Sequence, residues 1–425
     1  MVQLVEDVIL KVFTSCDIYS TLAASQASRY FHTLVFSKQV WSAHISDLRR
    51  RFFIDLPHGT RLDDYSTDGL VNLVKRIVDG PSSWMASTDS SSNYPSPTIT
   101  RQIILKPNIR RGPGILNWEN QIQLLPGGAF VFYNNWGKLE CWAVEMNNLT
   151  WSYRPNRRID AFAVDVADEG RSALIIIDLR TGTSRRLIDE HAPDIGNSFN
   201  LLRLQGDYAI ARGYSSQRVM LFKLSTVTVR TFHAPEDNDM DLVSGNLIMV
   251  SPDSKRFHKV LDLRLWRMDT LLGVQDGVWL SAIGPQVATS IKLMKSSCDV
   301  VFRLAAHLSP LRSGHSVVWV LAYSLNPTFT LIRKYYISHI ALDPLTMRCT
   351  NSCSLKGVVN GIPGHFLRIS YAGYADTSGL YSLANPETKK MYVPLDDRGE
   401  YVDLSAYSGA LTYATNESLV VNYYK

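Results

Sequence analysis

Two groups of acidic residues are the places in this chain where side chains suited to chemistry stand close together. They are Asp160, Asp165, Asp168 and Glu169, and then Glu236, Asp237, Asp239 and Asp241. Neighbouring carboxylates can act as a general acid and base, or they can bind Ca²⁺. The second group lies in the segment APEDNDMD, which lacks the glycine and the terminal glutamate of a calcium loop. We therefore predict a solvated loop there and no metal site.

Cysteine and histidine residues show no spacing typical of a metal site or a nucleophile. Cys349 and Cys353 form a C-x-x-x-C pair without the further Cys or His ligands that zinc requires. The sequence also contains no Gly-x-Gly-x-x-Gly, phosphate loop, Gly-x-Ser-x-Gly or His-Glu-x-x-His motif. We expect no catalytic residue, no metal and no cofactor, so the chain is predicted not to be an enzyme.

Three tryptophans, Trp136, Trp142 and Trp151, lie within one short stretch. Indole rings can line a carbohydrate or peptide pocket, and they also pack between the sheets of a β protein. Both interpretations stay open, and no substrate-binding residue is assigned.

The composition is typical of an ordinary folded protein of more than one domain. The chain has 425 residues, of which 45% are hydrophobic and 20% are charged, and its net charge is +5. The basic residues are scattered, whereas a nucleic-acid binder concentrates them on one face, so no nucleic-acid partner is expected. Five cysteines, an odd number, indicate a reducing compartment. With no signal peptide and no apolar run that could cross a membrane, we predict a cytoplasmic or nuclear protein.

The first part of the chain has the apolar periodicity of short helices. Val5, Val8 and Val12 recur on one helix face, and Asp17 and Ser37 are placed to cap later helices. Ser66 or Thr67 is placed to cap the further helix, and Asp79-Gly80-Pro81 to end it. The predicted organisation is a helical module over 1–55, a further helix over 56–81, a surface linker over 82–97 and an all-β body over 98–425. So small a module leaves apolar surface bare unless it binds something else. It is either a docking surface for another protein or a cap on the next domain.

This helical stretch resembles an F-box, which binds the Skp-type adaptor of cullin-RING ubiquitin ligases. The motif begins Leu-Pro, continues with an acidic and two hydrophobic residues, and ends in a hydrophobic-Trp pair. Here Asp7 occupies the acidic position, and Val5 stands where Pro is usual. The resemblance implies adaptor binding by Leu4, Val8, Ile9, Val12, Phe13, Leu22, Phe31, Leu34, Val40 and Trp41. Phe13 and Trp41 are the candidate anchors, unless they belong to the chain's own core.

From residue 98 onward, short runs of Val, Ile, Leu and aromatic residues alternate with turn signals. The pattern of residues 122–153 predicts four strands joined by tight turns, which is the size of one propeller blade. Trp142 stands at the position that the Trp occupies in a WD-like repeat. At this spacing the body holds about seven irregular blades, and a β-sandwich is the alternative. The last strands are expected to close the ring by pairing with the start of the body.

Taken together, the sequence predicts a helical module followed by an irregular β-propeller. The function implied is a non-catalytic substrate receptor of an SCF-type ubiquitin ligase, which binds the adaptor, and through it a cullin, and also an unidentified protein target. Two alternatives stay open: a propeller scaffold unconnected to ubiquitination, and a propeller lectin or hydrolase.

Overall fold

The chain begins with five helices and continues as an all-β body. A computed structural model describes residues 5–56, 60–84, 97–109, 121–154, 159–167, 172–179, 199–213, 217–235, 238–252, 260–292, 300–325, 332–343, 348–357, 368–376, 379–382, 400–415 and 417–425. The helices are α1 (Glu6–Ser15), α2 (Ile18–Ser25), α3 (Arg29–Val35), α4 (Lys38–Arg50) and α5 (Thr67–Asp79), with a sixth, α6 (Met268–Leu272), inside the β body. We call α1–α5 the helical module.

Local sequence signals set the ends of α2 and α5, whereas Ser37, predicted to cap a helix, is the N-cap residue of α4 but makes no side-chain cap hydrogen bond. The Asp17 carboxylate accepts a hydrogen bond from the Ser20 N–H and caps α2. The Ser66 hydroxyl accepts one from the Gly69 N–H and caps α5. At the other end of α5, Gly80 takes a φ of +82°, a backbone conformation that L side chains rarely adopt, and the helix stops.

Four sheets of the described chain have the four antiparallel strands of a blade. They contain β2 (Ile122–Leu124), β3 (Phe130–Asn134), β4 (Leu139–Ala143) and β5 (Asn148–Tyr153); β12 (Asp239–Val243), β13 (Asn246–Pro252), β14 (Val260–Arg267) and β16 (Val287–Lys292); β17 (Val300–Leu308), β18 (Ser316–Leu325), β19 (Ile332–Asp343) and β20 (Arg348–Gly357); and β24 (Glu400–Leu404), β25 (Leu411–Ala414), β26 (Leu419–Tyr424) and β1 (Ile99–Leu105).

The remaining described strands form sheets of other sizes. One has two strands, β6 (Ile159–Ala167) and β7 (Ser172–Leu179); one has five, β8 (Phe199–Gln205), β9 (Tyr208–Gly213), β10 (Arg218–Lys223), β11 (Thr228–His233) and the parallel β15 (Val278–Trp279); and one has three, β21 (Arg368–Ile369), β22 (Gly373–Asp376) and β23 (Gly379–Ser382).

The sheets are arranged as a propeller, because the first strand of one sheet lies against the first strand of the next. Strand β6 contacts β8, β8 contacts β12, β12 contacts β17, β21 contacts β24, and β24 contacts β2. The predicted propeller is therefore confirmed over the sandwich. The predicted number of about seven blades is corrected to four four-stranded blades in the described ranges. The prediction divided the roughly 325 residues of the body by about 45 residues per blade. Part of that length, including 180–198 and 383–399, lies outside the described residues.

The two ends of the β body meet in one sheet. Strand β1 pairs antiparallel with β26, from Ile99 opposite Tyr424 to Leu105 opposite Leu419. The predicted pairing of the chain ends is therefore present, and it gives the last strand a partner on each side.

Inner-strand carboxylates join neighbouring sheets, contrary to the solvated loop predicted for the second acidic group. Each accepts a hydrogen bond of 2.7 to 2.9 Å from a backbone N–H of the next sheet: Asp165 from Gly206, Asp239 from Leu304, Asp241 from Ala306 and Asp403 from Leu124. Burial raises the pKa of Asp165, and it raises the pKa of Asp241 to about 6. These aspartates are structural links.

Strands β12 and β13 form a hairpin, because Ser244 and Gly245 both take positive φ in a tight turn. The predicted linker over 82–97 starts as a 3₁₀ turn, Ser82–Trp84, and the Trp84 ring is fully buried against Val402, Tyr413 and neighbouring residues of the β24–β26 sheet. None of the helices in the described ranges is both long and apolar enough to span a membrane.

Candidate protein-interaction surface

Helix α1 carries apolar residues both on the side that faces the protein core and on the side that faces solvent. Leu10 and Phe13 point inward and are 9% and 6% exposed. On the other side Val5, the N-cap residue of α1, and Val8 and Val12 of the helix are 65%, 47% and 51% exposed, at i, i+3 and i+7 in the sequence. We call these three residues the α1 valine face. Three valines on one helix face form an apolar patch typical of a protein contact.

The residues around this face connect it to the core of the module. Ile9 and Phe31, both partly exposed, pack on the cluster that contains Phe13 and Leu34. The Phe13 and Phe31 rings meet edge to face at 5.8 Å between centroids. Tyr30, which is 50% exposed, lies beside Phe31. The valine face thus rests on rigid, aromatic packing.

The nine described residues that were predicted to contact an adaptor divide into three groups by exposure. Val8 and Val12 are exposed; Ile9, Leu22 and Phe31 are partly exposed; Phe13, Leu34, Val40 and Trp41 are buried; and Leu4 lies outside the described residues. Adaptor contact by this set stays a prediction. Val5, the N-cap residue of α1, was not among the predicted site residues and is more exposed than Val8 and Val12.

The two candidate anchors lie inside the protein, as the competing interpretation requires. Trp41 is 2% exposed and packs with Ile45, Leu48 and Leu70 between α4 and α5. Phe13 belongs to the cluster of α1, α3 and α4. Periodicity alone placed both on an apolar stripe but could not tell which half of the stripe faces inward.

The helical module is docked on one end of the propeller, at the β17–β18 turn. The Tyr19 N–H donates to the Leu311 carbonyl at 3.0 Å, and the Ser313 N–H donates to the Asp17 carboxylate at 3.4 Å. The Arg312 guanidinium lies over the Tyr19 ring, 3.4 Å from its centroid. The N-terminus of α2 is therefore held by backbone and cation–π contacts.

A second contact joins the end of α4 to the β24–β25 loop. The Phe53 ring meets the Tyr407 ring edge to face at 4.4 Å, and Arg51 stacks on Phe53 while donating to the Ser309 carbonyl. The Tyr407 hydroxyl donates to the Leu308 carbonyl at 3.2 Å. Nearby, burial lowers the pKa of His307 to about 4, so this imidazole is neutral at pH 7.

A third contact places Asp55 between the module and the ring-closing sheet. Its carboxylate accepts hydrogen bonds from the Ser408 side chain and the Gly127 N–H, and it lies near Arg76 of α5. Burial is the largest influence and raises the pKa of Asp55 to about 6. A Cβ at Gly128 would lie 3.0 Å from the Asp55 Cβ, so glycine is needed for this approach. Together the three contacts fix the module rigidly on the propeller.

The three clustered tryptophans do not line one pocket. The Trp142 Nε1–H donates to the Glu140 carboxylate at 3.0 Å, and its ring packs on the core beside β1. Trp151 is 41% exposed on the outer strand β5 and stacks near Tyr153. Trp136 lies in the β3–β4 turn. In the described part of the chain, no cluster of His, Cys, Asp and Glu could hold a metal ion, and Cys349 and Cys353 lie on β20.

Comparison with known proteins gives a general likeness of fold. No protein-family model and no curated protein sequence matches this chain. The Myceliophteria thermophila Cps50 (Swd1) β-propeller domain aligns with a TM-score of 0.47 and 11% identity, over 76% of this chain and 99% of that one. A chain of the mitotic checkpoint complex aligns at 0.43 and 12%, over 80% and 96%. A chain of Kuenenia stuttgartiensis hydrazine synthase aligns at 0.41 and 8%, over 80% and 98%. Such values carry no inference about function.

Proposed function

We propose that this protein is a non-catalytic interaction scaffold that holds two other proteins at a fixed separation. The α1 valine face takes the first partner, and the propeller takes the second. The observation that carries the proposal is that Val5, Val8 and Val12 are exposed, although the opposite side of α1 is already buried in the module through Leu10 and Phe13. The specific form of the proposal is a substrate receptor of a cullin-RING ligase, with a Skp-type adaptor on the valine face and a target on the propeller.

The rigid junction between module and propeller supports this function. A ligase accelerates transfer by holding the target's lysines near the ubiquitin-loaded enzyme, which is an effect of local concentration and geometry. A receptor of this kind needs no bond-making residues, but it does need a stiff connection between its two binding surfaces. The contacts of Tyr19, Arg51 and Asp55 with the propeller provide that connection.

A scaffold unconnected to ubiquitination is the second candidate, and one observation favours it. Val5 replaces the usual Pro at the motif start, and it is α1's N-cap residue with no side-chain cap hydrogen bond. Such a scaffold would present the same valine face to a different apolar partner. The two candidates differ only in whether a Skp-type adaptor binds.

The test is a pull-down of purified Skp-type adaptor by the full chain and by a Val8→Asp, Val12→Asp double variant. Both positions are about half exposed, so the melting temperature should stay unchanged. Each valine would bury enough further apolar surface for about 1 kcal/mol, so the double variant should bind about 30-fold more weakly. The matched control is Val227→Asp, which alters an exposed valine on the β10–β11 turn and should bind like the wild type.

Each outcome decides the matter. A wild-type chain that binds no adaptor refutes the ligase form of the proposal. A double variant that binds as tightly as the wild type refutes the assignment to the valine face. Phe13 and Trp41 are unsuitable for this test, because replacing either residue would empty the core.

A further inference from the structure

The outer strand of the β2–β5 blade exposes large aromatic side chains. All six residues of β5 (Asn148–Tyr153) are exposed, and Trp151 and Tyr153 are each 41% exposed. The two rings stack with 6.2 Å between their centroids and 11° between their planes. The outer strand of the β12–β16 blade differs, because the residues it exposes include the small Ala288 and Ser290. The outer strand β5 is therefore unusual in offering aromatic surface to solvent.

The backbone edge of β5 that faces away from β4 has no strand partner among the described residues. The strand bulges at Thr150, whose hydroxyl donates to the Cys141 carbonyl at 2.9 Å. Beyond the bulge, Trp151–Tyr153 pairs regularly with Leu139–Cys141 of β4. A regular strand at the edge of a sheet presents a row of N–H and C=O groups that another extended chain can pair with.

The five-stranded sheet shows how this protein covers the edge of another outer strand. The two-residue strand β15 (Val278–Trp279) lies parallel to β11, with Val278 opposite Phe232. Just before it, the Gly277 N–H donates to the Thr231 carbonyl at 2.8 Å. A short extended segment is thus sufficient to add a strand to the outer edge of a sheet in this propeller.

Side chains of the covering segment add two further contacts to β11. The Trp279 ring lies 5.3 Å from the His233 ring, measured between centroids. The Asp276 carboxylate accepts a hydrogen bond from the Thr231 N–H at 2.7 Å and lies 3.7 Å from the Arg230 guanidinium. The covered edge therefore combines a short backbone ladder, a contact between rings and a carboxylate beside an arginine.

The edge of β5 also carries an arginine. Arg154 directly follows the strand, is exposed, and makes no ion pair with a carboxylate in the part of the chain that the structure describes. The acidic residues near this sheet are already paired: Glu145 with Arg101 at 3.0 Å, and the buried Glu140 with Lys138 at 2.9 Å. The charge at the end of β5 is therefore complementary to a carboxylate from outside the chain.

We propose that the edge of β5 at Trp151, Tyr153 and Arg154 binds an extended segment of another protein, which adds to the blade as a fifth strand. The segment lies parallel to β5, as β15 does to β11. It carries apolar and aromatic side chains at alternate positions, which cover the two rings, and a carboxylate after them that meets Arg154. This inference rests on the proposed scaffold function and names the place and chemistry of its second partner.

The test measures binding of the labelled peptide Val-Ser-Trp-Ser-Val-Glu-Glu to the full chain by fluorescence anisotropy. The wild type should bind this peptide, and the affinity should fall as salt rises. The N–H groups of a strand point alternately to its two sides. Methylating the backbone nitrogens of one alternate set in the peptide should therefore abolish binding, whereas methylating the other set should leave Kd unchanged.

Substitutions on β5 test the side-chain contacts. Tyr153→Thr should raise Kd about fivefold and Trp151→Thr about tenfold, because aromatic residues are typical interface anchors. Threonine suits a strand, and Tyr153 is exposed, so Tyr153→Thr should melt at the wild-type temperature. Arg154→Gln should weaken binding about threefold and flatten the salt dependence. The matched control is Ile104→Thr, which shortens an exposed apolar side chain on the outer strand β1 and should leave Kd unchanged.

Three results would overturn the proposal. They are a wild type that does not bind the peptide, equal binding of both methylated peptides, and an unaltered Kd in Tyr153→Thr and Trp151→Thr. Tighter binding of a peptide with lysine in place of glutamate would overturn the choice of a carboxylate. Tyr153→Thr should still bind the adaptor, and the Val8, Val12 double variant should still bind the peptide. The failure of one surface can therefore be distinguished from the failure of the other.

Discussion

The Asp55→Asn variant should change how the stability of this protein depends on pH. Burial raises the pKa of Asp55 from 3.8 to about 6, so the folded state holds this proton more tightly than the unfolded chain does. The stabilisation is fully present below pH 3.8 and is lost as the pH rises through 6. The groups that face the carboxylate are Ser405, Ser408, Arg76 and, from β26, Tyr423.

The size of the effect follows from the two pKa values. At about 1.4 kcal/mol per pKa unit, ionising Asp55 in the folded protein lowers the free energy of unfolding by about 3 kcal/mol at pH 7.5. About 1 kcal/mol of this is already lost at pH 4.5, because the unfolded carboxyl is ionised there. Between pH 4.5 and 7.5 the free energy of unfolding of the wild type should therefore fall by about 2 kcal/mol more than that of Asp55→Asn.

The assay is urea denaturation of both proteins at the two pH values. The readout is the difference in the free energy of unfolding between wild type and variant, because the contributions of all other titrating groups cancel in that difference. The control is Asp47→Asn. At Asp47, burial is outweighed by hydrogen bonds from Arg50 and Arg51, and the pKa is lowered, so the sign of the pH effect should be opposite. Parallel pH profiles for the wild type and Asp55→Asn would refute the reasoning.

Four further predictions concern the propeller and its junction with the helices. Trp84→Ala should lower the free energy of unfolding by about 3–5 kcal/mol in a urea titration, because the ring is fully buried in the closing sheet. Asp239→Ala should cost about 1–3 kcal/mol in the same assay, since the Leu304 N–H loses its acceptor. Truncation after Ser408 removes β25 and β26 and should abolish the cooperative melt of the body; an unchanged melt would contradict ring closure. The His307 imidazole should stay neutral down to about pH 4 in an NMR titration, and an ordinary titration near pH 6.5 would show that it is not buried.

Local signals in the sequence were sufficient to predict where helices begin and end. They were not sufficient to predict which residues are buried and which are available for function. The caps at Asp17 and Ser66 and the stop at Gly80 are short-range hydrogen-bond and backbone effects, so residue types alone located them. The pairing of β1 with β26 also followed, because unpaired edges are costly. The number of blades did not follow, since the length of the body does not show which strands share a sheet.

The functional residues were harder to predict because burial depends on distant parts of the chain. The α1 stripe is apolar on both flanks, and only packing against α3 and α4 shows that Phe13 is inside and Val12 outside. Asp239 and Asp241 resembled loop residues because their partners, Leu304 and Ala306, lie far along the chain.

The docking of the helical module has a consequence for how the protein is made. The ribosome releases the helices first, yet the residues on which they rest, Leu311 and Tyr407, are synthesised only after most of the β body. Until then the nascent helices must leave the side of α4 and α5 that later meets these residues open to water or to a chaperone. Strand β1 likewise waits for β26, which follows every other described strand along the chain. The junction can therefore form only after most of the β body has been synthesised.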